Sequence, residues 1–97
     1  MKLINIARNI VQYDTKIEKN LNKLPLHILH KFRFWVDLVN NNGIAETRKI
    51  AGFHDEPLQG DRKGQRSIRL NKAYRAIYTE EKQSIIITVI EVNKHDY

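Results

Sequence analysis

The chain has 97 residues, 41% of them hydrophobic and 29% charged, which predicts a single folded domain over residues 1–97. It contains no cysteine, which excludes disulfides and thiolate metal sites. Lys and Arg number 17 against 11 Asp and Glu, and the net charge of +6 favours a polyanionic partner, with nucleic acid first. No apolar signal segment or membrane-spanning run is present, so we expect a cytoplasmic protein without a membrane partner.

Helical signals dominate the first half of the chain, after a weak strand pattern at Ile6–Tyr13. Thr15 and Glu18 have the spacing of a capping box, which predicts that a first helix starts there, and Pro25 ends it. Apolar side chains then recur at helical period over Leu26–Asn42 until a glycine follows three asparagines. The two helices are predicted to form an antiparallel hairpin.

The second half changes to strand alternation. Ile44–Ala51 is compatible with a short helix or turn, and Gly52–Gly64 has the composition of an exposed loop. A hairpin is predicted over Ser67–Tyr78, and Ser84–Val92 is rich in β-branched residues on both faces, as in a central strand. Helices followed by strands predict an α+β fold, with two N-terminal helices packed on one face of an antiparallel β-sheet.

A concentrated basic segment lies on the predicted hairpin. Residues 62–75 carry six cations and no acid, which predicts a surface for phosphate groups; a solvated outer sheet face is the alternative. Tyr74 and Tyr78 lie among these cations and are candidates for stacking on bases. The six cations are Arg62, Lys63, Arg66, Arg69, Lys72 and Arg75.

Two further positions offer proton-transfer chemistry. Glu56, at the edge of the basic segment, is a candidate general base, because a carboxylate near guanidinium groups stays ionised. His95, in the C-terminal tail, is the natural acid or base at neutral pH, although a frayed tail is the alternative. His27 and His30 are three residues apart but lack a third ligand at a motif distance, so we expect no metal and no other cofactor.

Five short segments in the second half occur in a fixed order. They are Gly52–Phe53, Asp55–Gly64, Ser67–Asn71, Tyr74–Tyr78 and His95–Tyr97. Together they resemble the RelE, HigB and YoeB toxins of bacterial type II toxin–antitoxin systems, in the RelE/ParE superfamily. The resemblance implies a compact RNase-like fold and metal-independent cleavage of mRNA, commonly in the A site of the 30S ribosomal subunit. It also implies a cognate antitoxin as partner.

The resemblance assigns roles by position. In this chemistry the ribose 2′-OH attacks the neighbouring phosphodiester, so the enzyme must accept one proton, stabilise the phosphate and protonate the leaving oxygen. Glu56 matches the general base of YoeB-like toxins, and Arg75 matches the arginine on the scissile phosphate. Arg66 and Arg69 lie on the strand that supplies further phosphate contacts, and Lys63 matches a basic loop residue.

The tail matches less completely. Asp96 and Tyr97 match a pair that in HigB-like toxins continues to a histidine, whereas this chain stops at Tyr97. The general acid is therefore either His95 or Tyr97, with Asp96 as a further RNA contact. Two other functions remain open: a ParE-like toxin that inhibits gyrase, and a noncatalytic RNA- or ribosome-binding module. The arginine at position 75 and the His-Asp-Tyr tail favour the nuclease.

Overall fold

The computed structural model describes residues 9–81 and 86–94. The beginning of the predicted first strand, Ser84 and Ile85, and the tail His95–Tyr97 lie outside these residues. Two single-turn 3-10 helices span Ala51–Phe53 and Gly60–Arg62. The other elements are β1 (Ile10–Gln12), α1 (Thr15–Asn22), α2 (Leu26–Asn42), α3 (Ile44–Thr47), β2 (Glu56–Pro57), β3 (Gln65–Arg69), β4 (Tyr74–Glu80) and β5 (Ile86–Lys94).

The N-terminal cap of α1 corrects the sequence prediction. Asp14, not Thr15, precedes the helix, and its Oδ1 accepts a hydrogen bond from the Ile17 amide at 3.0 Å. Thr15 is instead the first residue of the helix. Asp and Thr are both good caps, and Asp14 places its carboxylate at the positive end of the helix dipole. Ile17 and Leu21 are the buried residues of this helix.

The second helix confirms the predicted bounds. α2 begins after Pro25 and ends before Gly43. The φ of Gly43, 88°, is a backbone conformation that favours glycine, and its amide donates to the Val39 carbonyl. Its buried side chains form one stripe of Ile28, Phe32, Trp35 and Val39. This stripe packs into the same apolar core as Ile68, Ala76, Tyr78, Ile87, Val89 and Val92 of the sheet.

The sheet has five strands in the order β1-β5-β4-β3-β2. The strands β3, β4 and β5 are antiparallel neighbours, as predicted, and β5 lies inside the sheet; β2 adds to β3, also antiparallel. The strand β1 pairs with β5 in parallel, so the sheet is mixed rather than purely antiparallel. A parallel neighbour needs a long crossover connection, and the helical half of the chain lies between β1 and β5. The strand β2 falls in the predicted loop and was missed, because two residues carry no periodicity.

The two faces of the sheet differ in what covers them. Residues paired across antiparallel strands share a face, and Ala76 and Tyr78 join the apolar core under the helices. Ile77 lies between them and is only 4% exposed, yet it is not part of that core. Alternation along β4 therefore directs Ile77 to the opposite face, which we call the helix-free face because no helix of residues 9–81 and 86–94 covers it. Within residues 9–81 and 86–94, no helix is both long and apolar enough to cross a membrane.

Candidate nucleic-acid interface

A row of four cross-strand neighbours crosses the helix-free face. Glu56 pairs with Ser67, Ser67 with Ile77, and Ile77 with Glu91, so one residue from each of β2, β3, β4 and β5 points to the same side. The register shifts between Ile77 and Tyr78, which indicates a β-bulge beside this row. The row places one carboxylate at each end of the face.

The next row carries the positive charge. Arg69 on β3 pairs with Arg75 on β4, and Arg75 pairs with Asn93 on β5. Two like charges directly opposite each other destabilise a sheet, unless an anion lies between them. The Nε of Arg75 is buried and has no hydrogen-bond partner within the part of the chain that the structure describes. This row therefore has unused donors where a phosphate group could bind.

Glu56 and Arg75 lie two strands and two residues apart. Standard strand spacings put their Cα atoms about 12 Å apart, a gap that an extended arginine and a glutamate can close from both sides of one nucleotide. The predicted base and the predicted phosphate-binding arginine thus share one face. β5 ends at Lys94, opposite Tyr74 and next to the Arg75 row. His95, Asp96 and Tyr97 lie outside the described residues, and their roles stay predictions.

Glu56 has a histidine neighbour that the sequence prediction did not use. The Nε2 of His54 lies 3.6 Å from Oε2 of Glu56, and both side chains are about half exposed. His54 has φ 47°, the only positive φ of a non-glycine residue in residues 9–81 and 86–94. This left-handed conformation turns the chain just before β2 and holds the imidazole beside the carboxylate.

Arg66 lies on the other side of the sheet. It pairs with Tyr78, and its Nε donates to Oδ1 of Asp55 at 2.7 Å. The Tyr78 hydroxyl donates to Oδ2 of the same carboxylate at 2.6 Å, and the Asp55 side chain is 1% exposed. The sequence prediction placed guanidinium groups near Glu56, but the guanidinium of Arg66 binds Asp55 instead. A contact of Arg66 with RNA stays a prediction.

A residue outside the predicted set completes this buried network. Arg48, just after α3, donates from Nη2 to Oε1 of Glu80 at 2.7 Å and to the Tyr78 hydroxyl at 3.2 Å. Burial opposes the charged guanidinium of Arg48, but these hydrogen bonds outweigh burial and raise its pKa. Burial, and then the hydrogen bond to Asp55, raise the pKa of Tyr78 well above its usual value. No spacing in the sequence links Arg48 to Asp55, so only the fold reveals the network.

The predicted stacking role of the two tyrosines is wrong for Tyr78. Its side chain is 0% exposed and lies against Trp35, with ring centroids 5.4 Å apart. Tyr74 is on the same side of β4 and packs partly buried against the core. Alternation placed both tyrosines on the face opposite to Arg69 and Arg75, so these two arginines and the aromatic rings could not share a surface.

The remaining predicted positions are exposed. Lys63 follows the 3-10 helix Gly60–Arg62, and Lys72 lies in the turn between β3 and β4. Asn71 holds that turn by accepting hydrogen bonds from the amides of Ala73 and Tyr74. Among the described residues, no group of three His, Asp or Glu side chains is arranged to hold a metal ion.

Solved structures of toxins share this fold. YafQ from E. coli superposes with a TM-score of 0.71 at 18% identity, over 90% of this chain and 93% of that chain. A chain of the archaeal RelE–RelB complex from Pyrococcus horikoshii has a TM-score of 0.70 at 21% identity, over 90% and 94%. A chain of the YoeB–YefM complex from Staphylococcus aureus has a TM-score of 0.66 at 19% identity, over 94% of this chain and 100% of that chain.

The comparisons confirm the resemblance at the level of fold. No family model matches the chain, and no curated protein matches it in sequence. These three structures are 18–21% identical to the chain, a level at which similarity establishes architecture rather than activity. The chain has the fold of the RelE, YoeB and YafQ toxins of type II toxin–antitoxin systems.

Proposed function

We propose that this chain, which has the RelE-type toxin fold, is a metal-independent endoribonuclease that cleaves mRNA on the ribosome and so inhibits translation. The observation that carries the proposal is the placement of Glu56, Arg69 and Arg75 in adjacent rows of one helix-free sheet face. A base on the same sheet face as guanidinium donors that can reach a phosphate is the arrangement that phosphodiester cleavage needs.

The chemistry follows from these groups. Glu56 accepts the proton of the ribose 2′-OH, and the 2′ oxygen then attacks the adjacent phosphorus. The O2′–P bond forms as the P–O5′ bond breaks, leaving a 2′,3′-cyclic phosphate and a 5′-OH end. Arg75 and Arg69 donate to the phosphate oxygens, where negative charge grows in the transition state. His95 or Tyr97 gives a proton to the leaving 5′ oxygen, with Lys63 and Asp96 as further RNA contacts.

A cognate antitoxin belongs to the same proposal. Several of the similar structures are toxin–antitoxin complexes, including RelE–RelB, YoeB–YefM and DinJ–YafQ. The net charge of +6 and the arginine row suit an acidic or amphipathic antitoxin segment that covers the face. Such a segment would inhibit the enzyme by occupying the phosphate site.

The test compares the wild type with Glu56→Gln and Arg75→Gln in a translation reaction with a defined mRNA, with and without ribosomes. Loss of a general base lowers the cleavage rate by about 10²–10⁴-fold, and loss of one transition-state donor by about 10²–10³-fold. Primer extension maps the cuts, and labelling by polynucleotide kinase detects the 5′-OH ends. Asp61→Asn and Arg33→Gln are matched controls, because both side chains are exposed and lie outside the two rows.

The outcomes separate the competing functions. Cleavage by wild type and controls, with both site variants impaired, supports the proposal. Growth arrest with intact mRNA and a DNA-damage response would identify a gyrase inhibitor instead. Translation arrest without any cut, unchanged in both site variants, would identify a noncatalytic ribosome-binding module. In cells, coexpression of the antitoxin should restore both growth and full-length mRNA.

A further inference from the structure

The helix-free face is crossed by an arginine from the loop between β2 and β3. The Nε of Arg62 donates to Oε1 of Gln65 on β3 at 2.8 Å. Its Nη2 donates to Oε2 of Glu91 on β5. Because β4 lies between β3 and β5, this guanidinium bridges the strands on either side of β4.

The bridge ends on a row whose two middle members are shielded from solvent. Ser67 and Ile77, the two middle members of the Glu56 row, are 1% and 4% exposed although no helix in the described part of the chain covers them. Glu91 is the last member of that row. Its Oε2 accepts a hydrogen bond from Arg62, and its Oε1 accepts one from Nδ2 of Asn93 at 3.1 Å. The carboxylate thus takes up the donors of two neighbours that an RNA phosphate could use.

We propose that Arg62 is a further phosphate-binding residue of this face, and that Glu91 occupies it in the free chain, so that RNA binds by displacing the carboxylate. This inference rests on the proposed function, because it requires a phosphodiester to lie on the face. A carboxylate and a phosphate oxygen accept the same guanidinium donors in the same geometry, so one can replace the other.

The exposure of the pair makes the exchange feasible. The side chains of Arg62 and Glu91 are 41% and 35% exposed, so water screens their attraction and the pair can open without breaking the core. Occupation of Arg62 by Glu91 therefore restrains RNA binding.

The test is a double-mutant cycle on RNA affinity. The probe is a fluorescein-labelled single-stranded 12-mer of 2′-O-methyl RNA, which cannot be cleaved because its 2′ oxygens are blocked. Glu91→Gln should bind about two- to fivefold more tightly than the wild type, the range expected for loss of a partly exposed ion pair. Arg62→Gln should bind more weakly and lower the slope of log affinity against log salt by about 0.7.

The double variant decides between this exchange and simple loss of negative charge. If Glu91 acts by occupying Arg62, Glu91→Gln gives no gain when Arg62 is already glutamine. Asp37→Asn is the matched control, because it removes one exposed negative charge from α2 and should change affinity little. Unfolding followed by Trp35 fluorescence shows whether each variant keeps its fold, and a structural role for Arg62 would not alter the salt slope.

Each result has one meaning. Equal gains from Glu91→Gln with and without Arg62, or no gain at all, overturn the inference; if the wild type still cleaves mRNA, the proposed function stands. A wild-type chain that neither binds the probe nor cleaves mRNA overturns both. A gain that depends on Arg62, together with the lower salt slope of Arg62→Gln, supports the exchange.

Discussion

Replacement of Asp55 by alanine is expected to destabilise the chain more than any change to the neighbouring Glu56. The Asp55 carboxylate is 1% exposed and accepts hydrogen bonds from Arg66 at 2.7 Å and from Tyr78 at 2.6 Å. The Nε of Arg48, itself buried, lies 3.9 Å from the same carboxylate. Asp55→Ala would leave a guanidinium and a fully buried hydroxyl without their acceptor.

The magnitude follows from the burial of these groups. Removing one partner of a buried ion pair costs about 3–5 kcal/mol, because the other charge stays in a medium of low dielectric constant. In a domain of this size, a loss of about 3 kcal/mol lowers the unfolding midpoint by about 12 °C or more. Asp55→Asn keeps an acceptor for one of the two donors and should cost about 1–3 kcal/mol.

Urea unfolding measures both losses directly. Trp35 is the single tryptophan, is 0% exposed and packs against Tyr78, so its fluorescence reports the region that the network supports. Asp61→Ala is the control, since Asp61 is an exposed acid in the following loop and should change stability by less than about 0.5 kcal/mol. A loss below about 1 kcal/mol for Asp55→Ala would refute the importance given to the buried network.

Two further predictions concern stability. Burial and Asp55 raise the pKa of Tyr78 in the folded chain, so its contribution is complete below about pH 10 and is lost as the pH rises toward the folded-state pKa. The free energy of unfolding should fall above pH 10 by up to about 1.4 kcal/mol per pH unit more in the wild type than in Tyr78→Phe; parallel curves would contradict this. For α1, Asp14→Ala should cost about 0.5–2 kcal/mol in urea unfolding, because Asp14 caps the Ile17 amide. Thr15→Ala should lower the free energy of unfolding by less than Asp14→Ala does. A larger loss for Thr15→Ala would show that Thr15 is the cap.

Much of the fold could be predicted from periodicity. The apolar stripe of α2 at Ile28, Phe32, Trp35 and Val39 gave its bounds, because a long helix repeats its signal several times. The hairpin of β3 and β4 followed from alternation on both sides of Asn71. The parallel pairing of β1 had no local signal, since three residues cannot show which distant strand they join.

The site was harder to predict because successive side chains along a strand point to opposite faces of the sheet. A shift of one residue along a strand moves a side chain to the opposite face, and β2 is only two residues long. The sequence showed acids and arginines close together but not that Asp55 and Glu56 point apart. Arg66 and Arg69 are separated by three residues on β3 and so also lie on opposite faces. The prediction placed Arg66 on the same surface as Arg69 because the two residues are close in sequence, but they face opposite sides of the sheet.

The same alternation gives the two neighbouring acids at the edge of the sheet different surroundings: Asp55 lies in the buried network, and Glu56 lies on the helix-free face. Asp55 has its lone pairs taken up by Arg66 and Tyr78 in the buried network, so it is poorly placed to accept a proton from a substrate. Glu56, one residue later, is 44% exposed and faces Ser67 in the row next to Arg75. Because Asp55 fixes the backbone of the edge strand from below, the Glu56 carboxylate can remain exposed and still keep its place. The burial of Asp55 thus supports the proposed role of the exposed Glu56 as the base.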